Sequence, residues 1–69
     1  MKLEKYLGEQ VRLIDNDGKV WEGKVVSLDL AINYDDIEYD ELDLEVEGYT
    51  DTILYAFPEN EIKSIEIIK

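Results

Sequence analysis

Eighteen of the 69 residues are carboxylates, and none is histidine or cysteine. Those two facts bound the chemistry before any fold is considered. Without histidine the usual general base and the commonest zinc ligand are missing. Without cysteine there is no disulfide framework, thiolate metal site or thiol nucleophile. Ser27 and Ser64 therefore have no base to activate them. Carboxylates do occur as neighbours, in Asp35-Asp36 and Asp40-Glu41, and glycoside hydrolysis divides acid and base roles between two such groups. A site of that kind also needs a cleft, which a chain of this length hardly encloses. Asp15-Asn16-Asp17-Gly18 echoes the opening of an EF-hand loop, but its glycine comes too early and the bidentate glutamate at position twelve is missing. There is no glycine-rich phosphate loop. The chain is expected to be no enzyme, with no cofactor and no dedicated metal site.

Two other constellations point to binding. The first is a polar pair, Asp29 and Asn33, at the lip of a turn. The second is Tyr34, Asp35, Asp36, Glu38, Tyr39 and Asp40, where acids interleave with aromatics. Such a surface suits a basic protein partner. It opens a stretch from Asp35 to Asp51 that holds nine acids and no base. Net charge is −1 through Tyr34 and −10 from Asp35 onward, out of −11 for the chain. A field of that sign repels phosphate backbones and attracts cations or basic surfaces. The plain structural alternative is a solvated face that keeps a small domain soluble. In the same way, Asn33 can serve simply to cap its turn.

The elements that must carry these residues follow from periodicity. Leu3, Tyr6 and Leu7 recur at helical spacing, so residues 3–7 read as a short helical turn that Gly8 ends. Gln10 to Asp15 reads as a strand with Val11 and Leu13 on one face. Asn16-Asp17-Gly18 is a hairpin turn. A long strand follows from about Lys19 to Asp29, with Gly23 inside it as the mark of a bend. Glu41 to Glu47 alternates cleanly, with Leu42, Leu44 and Val46 inward and four carboxylates outward. Gly48 to Asp51 is a turn, Thr52 to Phe57 a fourth strand, and Pro58 to Ile62 a tight connector with 3₁₀ character. Lys63 to Ile68 is the last strand. The expected architecture is all-β: one domain over residues 1–69, with a short N-terminal helix before a five-stranded, strongly bent antiparallel barrel. No segment has the ~20 apolar residues of a membrane span, and a soluble cytoplasmic protein is expected. The run Ile53-Leu54-Tyr55-Ala56-Phe57 is apolar on both faces. Its outward side, Leu54 and Ala56, needs cover, either from a second molecule or from the N-terminal turn.

The stretch from Asp17 to Asn33 resembles the first motif of Sm and Sm-like (LSm) proteins. Gly18 fits the turn glycine, Trp21 the aromatic after it, and Gly23 the bend glycine. Asp29 and Asn33 lie eleven and fifteen residues after Gly18 and fit the polar pair of the RNA-lining loop. Val25, Val26 and Leu28 fill the apolar positions between. Within that family the chain resembles a group of short acidic proteins of bacterial or phage type. The resemblance implies a helix followed by five strands, ring assembly through the fourth and fifth strands, and RNA binding. Two departures bear on the RNA role. The base-stacking position is Ala31, which has no π face. The Arg-Gly pair between the last two strands is replaced by Phe57-Pro58-Glu59-Asn60-Glu61, so the guanidinium that would face a nucleotide is missing.

The resulting expectation is a non-enzymatic Sm-like module for binding or assembly. Its partner is a protein or a second copy of itself, with an RNA-related role reduced by the incomplete uridine pocket. The alternative is an acidic mimic of nucleic acid that occupies a basic groove on another protein.

Overall fold

The computed structural model describes residues 2–48 and 51–68; the central residues of the expected Gly48–Asp51 turn, Tyr49 and Thr50, lie outside the described residues. Five strands form one antiparallel sheet: β1 (Gln10–Asp15), β2 (Val20–Asp29), β3 (Glu41–Glu47), β4 (Thr52–Pro58) and β5 (Ile62–Ile67). Their spatial order is β4-β3-β2-β1-β5. The all-β expectation holds, with two corrections. The N-terminal element is not an α-helix but one 3₁₀ turn, Leu3–Tyr6, because Gly8 stops the chain before a second turn can form. The barrel is open: β4 and β5 are the two edges, and the described residues show no ladder between them.

The sheet is nevertheless strongly curled. Pro58 and Ile62 sit on opposite edges, yet the chain between them spans at most about 14 Å. A flat sheet of five strands would set its edges about 19 Å apart. The curl arises in β2. Its first half pairs with β1, from Val20 to Lys24, and its second half with β3, from Lys24 to Asp29. Gly23 sits at the changeover, where an added Cβ would collide with the backbone carbonyl oxygen of Glu45. Only glycine lets β2 and β3 approach so closely. A register shift between Val25 and Ser27 makes Val26 an extra residue and sharpens the bend.

The alternating positions then converge. Leu3, Tyr6, Val11, Leu13, Val25, Leu42, Leu44, Phe57 and Ile62 form the buried core. Trp21 on β2 reaches across the interior to Tyr55 and Phe57 on β4, with ring centroids 4.6 and 5.3 Å away. Such tilted and edge-on contacts suit aromatic quadrupoles. The 3₁₀ turn packs on β2, where Gly8 N–H donates to the Val25 carbonyl and Val25 N–H to the Glu9 carbonyl. It does not shield Leu54, which remains 61% exposed.

Candidate functional site

The loop between β2 and β3 carries most of the residues that the sequence singles out. Its first turn is 3₁₀, Ala31–Asn33, and it is pinned at its end by Asp40. The Asp40 carboxylate accepts from the Ala31 amide at 2.9 Å, and the Asp40 carbonyl accepts from the Glu59 amide at 2.9 Å. The second bond joins this loop to the 3₁₀ connector Glu59–Glu61 between β4 and β5. The β1–β2 turn joins the same end of the molecule. Asn16 Nδ2 donates to the Asn60 carbonyl at 2.8 Å, and the Asn16 amide donates to the Glu61 carbonyl at 3.2 Å.

The expected site residues separate into three groups. Asp29, Tyr34 and Asp36 line one shallow depression of about 320 Å³ together with Ile37 and Glu41. The Tyr34 hydroxyl lies 3.5 Å from Asp29 Oδ1, at the long limit of a hydrogen bond. Asn33, Asp35, Glu38 and Tyr39 are exposed and lie outside this depression. Asn33 is not brought to Asp29 as a pocket partner, and its side chain makes no hydrogen bond to the described residues. Asp40 is half-buried and engaged with backbone, so it shapes the loop instead of facing outward.

Three features escape sequence reasoning. Ile32 projects from the loop at 90% exposure; an isoleucine in a loop, outside any alternating strand, carries no periodic signal. Asp43, on the outer face of β3, lies beside Asp29 and accepts a hydrogen bond from Ser27 Oγ at 2.7 Å. Partial burial, reinforced by Asp29, pushes its carboxyl above the ordinary range, while the Ser27 hydroxyl opposes the shift. That neighbourhood depends on the bulge at Val26, which alternation alone does not reveal. Asp15 is the third. One of its oxygens accepts from the amides of Asp17 and Lys19, both at 2.9 Å, and the other accepts from the Trp21 indole N–H at 3.1 Å.

The arrangement can accept hydrogen bonds and attract positive charge. Among the described residues, no three carboxylates are grouped so as to hold a metal ion. Among the described residues, no helix is long and apolar enough to cross a membrane.

The outer face of β3 and β4 extends the acidic surface. Register sets Glu41, Asp43, Glu45 and Glu47 opposite Pro58, Ala56, Leu54 and Thr52. A row of carboxylates therefore runs beside a row of small or apolar side chains at the sheet edge. Compared with protein-family models, curated proteins and solved structures, the chain gives no match.

Proposed function

We propose that this chain is a non-enzymatic Sm-like module for binding or assembly, working through its unpaired strand edges and the loop from Leu30 to Asp40. One observation carries the reading. Edge strand β4 runs for seven residues without a charged side chain, in a chain of which 36% is charged. Natural edge strands are guarded by charge, proline or bulges against unwanted pairing. Here Pro58 stands only at the last position, and Ile53 and Leu54 are 46% and 61% exposed. An edge left in that state is an edge with a partner. The strand order and the motif from Gly18 to Asn33 support the Sm-like comparison. Ala31 and the acidic connector speak against a complete uridine pocket.

A second reading rests on the loop. Ile32, Tyr34 and Tyr39 are exposed beside Asp35, Asp36 and Glu38, a mixture that fits an acidic mimic seated in a basic groove. The first experiment is sedimentation velocity at several protein concentrations, combined with binding to oligo-uridine and to a basic protein surface across a salt series. Concentration-dependent assembly, or a protein partner retained through β4, supports the module. A chain that stays monomeric and binds neither probe overturns it. Binding confined to basic protein, steeply salt-dependent and abolished by Ile32→Ser with Asp35→Asn and Asp36→Asn, favours the mimic.

A further inference from the structure

The two edges of the sheet are not equivalent. Edge strand β5 is guarded: it carries Lys63 and Glu66, and its ladder with β1 is broken by a register shift at Lys63. Edge strand β4 has only Pro58, at its last position. Its pairing with β3 is regular from Glu41↔Pro58 to Glu47↔Thr52. On its inward row Phe57 is in the core, Tyr55 packs against it and Ile53 is 46% exposed, while its outward row is Thr52, Leu54 and Ala56. A strand added here would gain backbone hydrogen bonds from the free edge and cover exposed apolar surface.

Charge decides what that strand must carry. On its outward face it would look across Thr52, Leu54 and Ala56 to the β3 carboxylates, two strand spacings or about 10 Å away. Long cationic side chains fit that gap, since their apolar stems can lie along Leu54 and Ala56 while their heads reach the acids. Glu41, Glu45 and Glu47 have no ion pair among the described residues and are available for this. The same sheet already uses such a ladder elsewhere. Arg12 on β1 lies between Glu22 on β2 and Glu66 on β5, with N–O distances of 2.7 and 2.9 Å. The chain's own β5 is a poor occupant, because Glu66 on its outward face would meet the carboxylate row.

We infer that the free edge of β4 takes an extended segment of another protein that alternates basic with apolar residues, its basic row facing Glu45 and Glu47. This rests on the module reading above and names its partner. The test uses the intact chain and a short capped peptide alternating lysine with valine, followed by amide NMR and hydrogen exchange. The controls are a glutamate-for-lysine peptide and a peptide of unchanged charge with proline at alternate positions. The expected result is shifted and slowed amides across residues 52–57 with the lysine peptide alone. Leu54→Lys should abolish binding while leaving the circular dichroism spectrum intact. Glu45→Gln with Glu47→Gln should weaken binding by about tenfold at low salt. Equal binding of the proline peptide, or shifts confined to residues 30–40, would overturn the inference. So would a second copy already occupying β4, seen as assembly with protected β4 amides before peptide is added; the module reading would then survive. Failure of every peptide with a strictly monomeric chain would remove both.

Discussion

Two aspartates respond to protons in opposite senses, and their neighbours explain why. Asp15 is held below the ordinary carboxyl value of 3.8 first by the Trp21 indole N–H, then by the Lys19 and Asp17 amides and the Lys19 charge. Its stabilising contribution is complete above 3.8 and is lost as pH falls through its lower folded value. Asp43 is shifted upward from the same 3.8, chiefly by partial burial and then by Asp29. Its contribution is present below 3.8 and lost as pH rises through its higher folded value. Acidification from neutrality should therefore raise the melting temperature before lowering it. Asp43→Asn should reduce the initial rise, and Asp15→Asn should reduce the later fall. Thermal melts across the acidic range check both, and an Asp43→Asn profile identical to that of the parent would refute the assignment. Apolar residues give a simpler prediction. Leu13 is fully buried between β1's two neighbours. Leu13→Ala should cost about 3 kcal/mol, a large share of the stability of so small a domain, as read by urea denaturation.

At the level of elements, the glycines of the motif do different work. Gly18 has φ +82° with open space around it, so its requirement is conformational. Gly18→Ala should cost about 1–2 kcal/mol, the penalty for a side chain in left-handed backbone. Gly23 has no such backbone requirement but faces the Glu45 carbonyl and the Leu44 side chain. Gly23→Ala must push β3 away from β2 and should cost about 1–3 kcal/mol, with the larger strain reaching Leu44 and the loop beyond. Chemical denaturation measures both costs, and shifted β3 amides in Gly23→Ala alone distinguish the causes. These positions also show why so much of the fold was legible in the sequence. Alternation marks strands through the burial of one face, so the bounds of β1 and β3 were clear from Val11, Leu13, Leu42 and Leu44. Gly23 inside an unusually long strand marks the bend. The candidate site was less legible, because its geometry depends on contacts between distant segments. By its neighbours in sequence Asp40 belongs with the outward acids, but the loop's need to satisfy the Ala31 and Glu59 amides turns it to structural use. Nothing local to Asp29 indicates that Asp43 lies beside it, since that depends on the register shift at Val26. The N-terminal turn is one of two expected covers for the outward side of β4, and its actual place against β2 leaves Leu54 uncovered.

Across the whole molecule, charge separation sets stability and recognition against each other. The half from Asp35 onward carries twelve acids and two bases, and its strands β3 and β4 form one side of a sheet whose other side is nearly neutral. Like charges on the outer face of β3 repel through water, over a range of about 10 Å at 0.1 M salt and about 30 Å at 0.01 M. Added salt shortens that range and should raise the melting temperature. A basic strand seated on β4 supplies the missing opposite charge, so the same salt should weaken its binding. The two effects have one origin and opposite signs. They should both diminish when Glu45 and Glu47 are replaced by glutamine, because those side chains contribute repulsion to the free chain and attraction to the bound one. Melting temperature and peptide affinity followed over one salt series, in the parent and in that double variant, test the link. If neutralisation removes the salt response of affinity but leaves that of stability unchanged, the repulsion lies elsewhere on the surface. The loop acids Asp35, Asp36 and Glu38 are then the groups to neutralise next, with a matching rise in melting temperature at low salt as the expected result.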